Sequence, residues 1–276
     1  MTINCKGSLI DLSSPKVMGI LNLTPDSFYD GGKHKDAKAV LDQVELMLNN
    51  GATFIDMGAY SSRPGAEHVS EDEEMQRLFP VMELILKHFP STLISIDTFR
   101  ANIAAQSIEI GAALINDISA GNLDAKMFDV VAQYQVPYIM MHLKGTPQSM
   151  QKQAVYDDLM KDLLLYFSKK LHIARDKKIN DIIIDPGFGF AKTTEQNYQL
   201  LNHLNMFQTL RKPILIGLSR KSMIYKILKS SPKEALNGTT ALHSIALLKG
   251  VNILRVHDVK EAFECVQLIE KLKANT

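Results

Sequence analysis

GILNLTPDSFYDGG, Gly19 to Gly32, sets a short apolar run against a polar loop, and its reading decides the fold. Val17, Met18, Ile20 and Leu21 are apolar without alternation, as a parallel strand buried on both faces requires, and Thr24-Pro25-Asp26 ends the run. Asn22 therefore stands at the C-terminal end of a first strand. Beyond Gly31-Gly32, Asp36 is the expected cap of a helix in which Ala37, Val40, Leu41, Val44, Met47 and Leu48 recur at helical spacing up to Gly51.

The same unit recurs along the chain. TFIDMG precedes an expected helix over about Glu71–His88, LISID one over about Phe99–Ile110, and ALINDI one over about Asp124–Tyr134. PYIMMH precedes a helix over about Tyr156–Lys177, DIIID one over about Glu195–Leu210, PILIGLS one or two between Arg220 and Lys249, and NILRVH a last one through Lys273. Gly51, Gly111 and Gly250 each fall where a helix should end and the next strand begin, the place of a C-terminal cap. Eight alternating units without a linker predict an α/β fold, a single (β/α)8 TIM barrel over residues 1–276; a doubly wound open sheet is the alternative. Ile3 to Leu12, turning at Lys6-Gly7, reads as a short N-terminal β-hairpin that could plug the barrel bottom.

Composition narrows the function. The 276 residues carry a net charge of +1, so nothing directs the whole surface to nucleic acid or an anionic membrane, and anion binding must be local. Cys5 and Cys265 lie at opposite ends without metal-ligand spacing, which argues against a disulfide framework and fits a reduced, cytoplasmic setting. No apolar run reaches the length of a signal peptide or a membrane span.

The apolar runs end on Asn22, Asp56, Asp97, Asn116 with Asp117, His142, Asp185, Ser219, and Arg255 with His257. In a (β/α)8 barrel these ends converge on the face that holds the active site, although each residue alone could merely cap a helix. Arg255 and His257 are two apart and point the same way, so Arg255 needs either an anionic ligand or a carboxylate such as Asp56 or Asp97. Ser219-Arg220-Lys221-Ser222 should open a helix, with one of its two cations directed at a ligand and the other at solvent. Asp97, Asn116 and Asp185 offer mixed donors and acceptors that suit a flat, nitrogen-rich heterocycle; a metal triad competes, without HExxH or EF-hand spacing to support it. A metal held by oxygens such as that of Asn22 would be magnesium, carried mainly by phosphate. No GxGxxG or GxxxxGK[ST] occurs, so dinucleotide and P-loop readings are weak. SSRPGA and DPGFGF look like loops that cover the site.

In order, GILNLTPDSFYDGG, SSRPGA, SIDTFRA, INDISA, MMHLKGTPQSMQ, DPGFGFAKT, GLSRKSM and RVHDV resemble the motif series of the dihydropteroate synthase family across nearly the whole chain. The resemblance implies condensation of 6-hydroxymethyl-7,8-dihydropterin pyrophosphate with p-aminobenzoate by an SN1-like path. It implies a pterin pocket of Asp97, Asn116, Asp185 and Lys221, with Met140 packed on the ring and Arg255 stacked on it. Around the pyrophosphate it implies Asn22 acting through Mg2+, with Ser62, Arg63, Arg255 and His257. For p-aminobenzoate it implies Phe28, Pro64, Phe190, Lys221 and Ser222, with Asp30 organising the metal and the amine. A homodimer through C-terminal helices and sulfonamide inhibition are also implied. Ser62 stands where the family commonly has Thr, and Leu143-Lys144 where Met-Gln is usual, departures that bear on affinity rather than on the reaction. The rivals are a methyltetrahydrofolate methyltransferase barrel, which has no pyrophosphate to hold, and a catalytically silent pterin-binding module.

Overall fold

Parallel strands must return through a crossover, and the chain meets this requirement by alternating short apolar strands with amphipathic helices. The computed structural model describes residues 1–23, 33–60 and 69–275. It opens with a hairpin, β1 (Thr2–Cys5) and β2 (Ser8–Asp11), paired antiparallel with Cys5 opposite Ser8. Lys6 and Gly7 between them both take positive φ, as a two-residue hairpin turn demands.

The main sheet comprises β3 (Lys16–Asn22), β4 (Phe54–Gly58), β5 (Leu93–Asp97), β6 (Leu114–Asp117), β7 (Tyr138–Met141), β8 (Ile182–Asp185), β9 (Leu215–Ile216) and β10 (Ile253–Val256). Its order is β8-β7-β6-β5-β4-β3-β10-β9, and every pairing is parallel. A lone bridge between Ile184 and Ile214, with the Ile184 N–H donating to the Pro213 carbonyl at 2.9 Å, closes β9 on β8. The result is the expected TIM barrel with its N-terminal hairpin.

Around it lie α1 (Lys33–Asn49), α2 (Glu71–His88), α3 (Ala101–Ile110), α4 (Met127–Tyr134), α5 (Leu159–Asp176), α6 (Thr194–Asn202), α7 (Ser222–Tyr225), α8 (Leu236–Leu248) and α9 (Val259–Lys273). Several ends differ from the expected ones. Helix α1 begins at Lys33, so Asp36 lies inside its first turn rather than at its cap. Asp158 caps α5 by accepting the Lys161 N–H, which starts that helix three residues after Tyr156. The Glu195–Leu210 stretch divides at His203 into α6 and a 3-10 segment, Leu204–Leu210. Gly111 caps α3 as read, at φ +129.

The core has two sides. Outward-facing strand residues such as Val17, Leu21, Ile55, Ile96, Ile115, Ile184 and Leu254 pack against the helices. Inward-facing Met18, Phe54, Leu114, Ile139, Ile183, Leu215 and Ile253 fill the lower lumen together with Ile3, Cys5 and Leu12 from the hairpin region. The hairpin is therefore the plug that the sequence reading proposed. Each large apolar side chain withdrawn there contributes about 1.5–3 kcal/mol.

Candidate active site

Successive strand residues point to opposite faces, so the inward parity of the lower lumen can be followed up each strand. Two residues beyond Phe54 comes Asp56, beyond Leu114 comes Asn116, beyond Ile139 comes Met141, beyond Ile183 comes Asp185, and beyond Ile253 comes Arg255. The same parity runs Leu93, Ser95, Asp97 on β5 and Met18, Ile20, Asn22 on β3. An apolar lower tier thus gives way to a polar upper tier at the C-terminal end of the strands.

Arg255 ties that tier together. Its Nε donates to Asp56 Oδ2 at 2.5 Å and its Nη2 to Asp97 Oδ2 at 2.7 Å. Fully buried Asp56 also accepts from Ser95 Oγ at 2.5 Å and Asn116 Nδ2 at 3.2 Å. Both carboxylates that the sequence reading offered as counter-anions of Arg255 bond it. Burial pushes the Asp97 carboxyl up to about 7, with Arg255 opposing the shift. The guanidinium stays charged, because the neighbouring Asp56 and Asp97 outweigh its burial.

Asp185 and Lys221 add two opposite charges that act on each other. Asp185 accepts the Gly187 N–H at 2.8 Å, and burial raises its carboxyl against the pull of Lys221. Lys221 donates to the Phe188 carbonyl and places its Nζ 4.6 Å from the centre of the Phe190 ring. Burial pushes its ammonium down to about 8, with Asp185 holding it up. Ser222 follows as the first residue of α7. At the mouth, Ser219 Oγ lies 3.2 Å from His257 Nδ1, with the His257 ring exposed. Asn22 ends β3 opposite Gly58. One lumen therefore offers carboxylates, an amide, an ammonium and a guanidinium around apolar walls, a lining suited to a heterocycle with hydrogen-bond donors and acceptors.

The chain matches the pterin binding enzyme family over residues 18–257. It is 41% identical over 276 residues to the dihydropteroate synthase of Escherichia coli strain K12, covering 98% of this chain and 96% of that one. The chain belongs to the dihydropteroate synthase family. A crystal structure of the Yersinia pestis dihydropteroate synthase with a sulfonamide drug superposes with a TM-score of 0.92 at 41% identity, over 99% of this chain and 100% of that one. The Xanthomonas albilineans dihydropteroate synthase with 4-aminobenzoic acid superposes with a TM-score of 0.91 at 34% identity, over 99% and 98%. These relatives favour the synthase over the methyltransferase alternative.

Within this family barrel, Asp97, Asn116, Asp185, Lys221, Phe190 and Arg255 are brought together as expected. Met140 is not. Its backbone pairs opposite Asp117 and Ile184, both directed away from the lumen, and its side chain joins the helix-facing core. Met141, one residue on, takes the inward parity and clusters with Ile118, Leu143, Met150 and Ala191 beside Phe190. His142 also turns outward, its ring 4.8 Å from that of Tyr166. Arg220 leaves the site as one of the two cations was expected to, through bonds of 2.8 and 2.6 Å to Asp258 rather than into bulk solvent. Phe28, Asp30, Ser62, Arg63 and Pro64 lie outside the described residues. Sequence reasoning gave no pocket role to Ser95 or Met141, and to Asp56 only that of a strand-end carboxylate for Arg255; following the parity from Leu93 and Ile139 finds the first two.

Proposed function

We propose that this chain condenses 6-hydroxymethyl-7,8-dihydropterin pyrophosphate with p-aminobenzoate, releasing pyrophosphate and 7,8-dihydropteroate. The observation that carries the reading is the polar upper tier, in which Arg255 links Asp56 to Asp97, Asn116 donates to Asp56, and Asp185 and Lys221 add opposite charges to the same lumen. Asp97, Asn116 and Asp185 meet the donor and acceptor edges of the pterin, and Arg255, held from beneath by two carboxylates, lies against its face. The methylene carbon–oxygen bond breaks with its electron pair leaving on pyrophosphate, and the electron-rich ring shares the positive charge. The amine lone pair of p-aminobenzoate then forms the new carbon–nitrogen bond, and one proton leaves the nitrogen. Arg63, Arg255 and His257 stabilise the departing anion as donors, each of a kind worth roughly 10² to 10³ in rate. Phe190, Lys221, Ser222, Phe28 and Pro64 hold the aromatic amine over the cation.

A magnesium ion suits this site. Asn22 ends β3 with the inward parity and would hold the ion through its amide oxygen, a hard donor suited to a cation carried mainly on a diphosphate. When bound, magnesium neutralises charge on the leaving pyrophosphate. Homodimerisation through α8 and α9 is supported by apolar side chains left exposed there, Leu248, Leu268 and Leu272 among them. Two free buried cysteines support a cytoplasmic setting.

The test is pyrophosphate release from the pterin pyrophosphate with magnesium, with and without p-aminobenzoate. Release that depends on p-aminobenzoate, with dihydropteroate formed in equal amount, supports the synthase. Pterin binding without release points instead to the silent module.

A further inference from the structure

The Gly187–Phe190 turn joins β8 to the wall of the site but belongs to no ladder, so beyond its own bond from the Phe190 N–H to the Gly187 carbonyl at 3.2 Å its backbone groups need partners from elsewhere. Gly187 and Gly189 take φ of +74 and +80, and a Cβ on Gly187 would run into the His142 carbonyl oxygen. Lys221 takes the Phe188 carbonyl, Gln151 Nε2 the Gly189 carbonyl at 3.2 Å, and Asn197 Oδ1 the Gly189 N–H at 2.7 Å. The two remaining carbonyls go to one buried side chain. Lys192, 3% exposed, donates to Gly187 O at 3.0 Å and Phe190 O at 3.1 Å.

The third neighbour of the Lys192 Nζ is His142 Nδ1, at 3.1 Å. Burial pushes the His142 imidazole down to about 2, so the ring is neutral and presents an acceptor to the ammonium. Burial pushes the Lys192 ammonium down to about 7 against the pull of Asp185, and in its protonated form three hydrogens meet three acceptors. Lys192 lies one residue past Ala191, so it reaches back over the turn it follows and pins both ends of it. The Asp185 bond to the Gly187 N–H holds the pterin side of the turn independently.

We infer that Lys192 is a positioning residue for the p-aminobenzoate side of the site, fixing the Phe190 backbone and with it the ring that lies under Lys221. The inference rests on the synthase reading above. Lys192 touches neither substrate and acts through Phe190. Its loss takes the donor from the Phe190 carbonyl and leaves that end of the turn held by the Phe190 N–H on Gly187 O at 3.2 Å and by Tyr156 on the Ala191 carbonyl, while Asp185 keeps the Gly187 end in place.

The experiment compares the parent, Lys192→Met, Phe190→Ala and the double variant. It measures the KM for p-aminobenzoate and, by calorimetry without p-aminobenzoate, the Kd for the pterin pyrophosphate with magnesium. Lys192→Met should raise the p-aminobenzoate KM by about tenfold or more and leave the pterin Kd within about threefold. The double variant should exceed the worse single variant by no more than about threefold, because both act on one wall. Equal losses for both substrates, multiplying single effects, or no effect overturns the inference. If Lys192→Met does not fold, Lys192→Gln is read in the same way; failure of both to fold makes Lys192 a folding residue and also overturns it. A parent without p-aminobenzoate-dependent release removes the synthase reading and this inference with it, whereas an active parent with an unchanged KM in the variants removes the inference alone.

Discussion

Replacing Arg255 with Met deletes the cation bonded to Asp56 and Asp97 while keeping an unbranched stem. Asp56 retains Ser95 and Asn116 as donors, but Asp97 loses the guanidinium 2.7 Å away. Breaking a buried pair in this way costs about 3–5 kcal/mol, unless the stranded carboxyl escapes by taking a proton. Burial already pushes Asp97 up to about 7 with Arg255 opposing it, so without Arg255 the value goes higher still. An unfolded Asp titrates near about 3.9, so the folded state holds a proton that the unfolded chain lacks, and stability falls with rising pH by about 1.4 kcal/mol per unit. In the parent this fall ends at about 7. In Arg255→Met it continues above, so the penalty measured by urea unfolding should be larger by ~2 kcal/mol at about pH 8.5 than at about pH 6.5. Adding Asp97→Asn should remove that extra slope. A penalty that is the same at every pH, or below about 1 kcal/mol throughout, would refute the reasoning.

Other outcomes follow from the same geometry. Lys221, which burial pushes down to about 8, loses its charge as pH rises through that value. The kcat/KM for the pterin pyrophosphate should therefore fall above it by up to about tenfold per pH unit, and Lys221→Arg should move the falling limb upward; an unmoved limb assigns it to another group. Met140→Ala should cost about 2–5 kcal/mol of stability, measured by denaturant, with the pterin KM changed less than about threefold. Met141→Ala should instead raise that KM by about tenfold, and the opposite pattern would return Met140 to the pocket. Asn22→Ala should raise the magnesium concentration needed for half-maximal turnover by about tenfold, with chelator abolishing activity in both proteins; an unchanged requirement removes Asn22 from the metal site.

The strands were legible because each is a short apolar run closed by a polar residue, and Gly51, Gly111 and Gly250 mark the returns into three of them. Helix ends were less so, since they depend on which side chain captures a free N–H. Tyr156 fits the helical spacing of α5 but lies before the Asp158 cap, and its hydroxyl donates to the Ala191 carbonyl at 2.8 Å. The Met140 error has a different origin. In PYIMMH both faces of the strand are apolar, so nothing in the run itself says which methionine looks inward until the register with β8 is fixed. The partners of Arg255, 199 and 158 residues earlier, were in reach of the sequence as strand-end carboxylates, but that Arg255 bonds both at once shows only when the barrel closes. Lys192 was hidden for the same reason, since its acceptor His142 lies 50 residues away.

The closure of β9 on β8 is a seam. β9 is two residues long and meets β8 through a lone bridge, whereas β3 pairs β4 over five positions. Fewer cross-strand bonds mean a lower free energy of local opening, so amide hydrogens at this seam should exchange sooner than those of β3 and β4. Above the seam, the Lys221 side chain, which follows β9, reaches the Phe188 carbonyl, which follows β8. A ligand that fixes Lys221 and Phe190 in place therefore also laces the barrel shut, and slower exchange at Ile184 and Ile214 on ligand addition would report that coupling without any measurement of turnover.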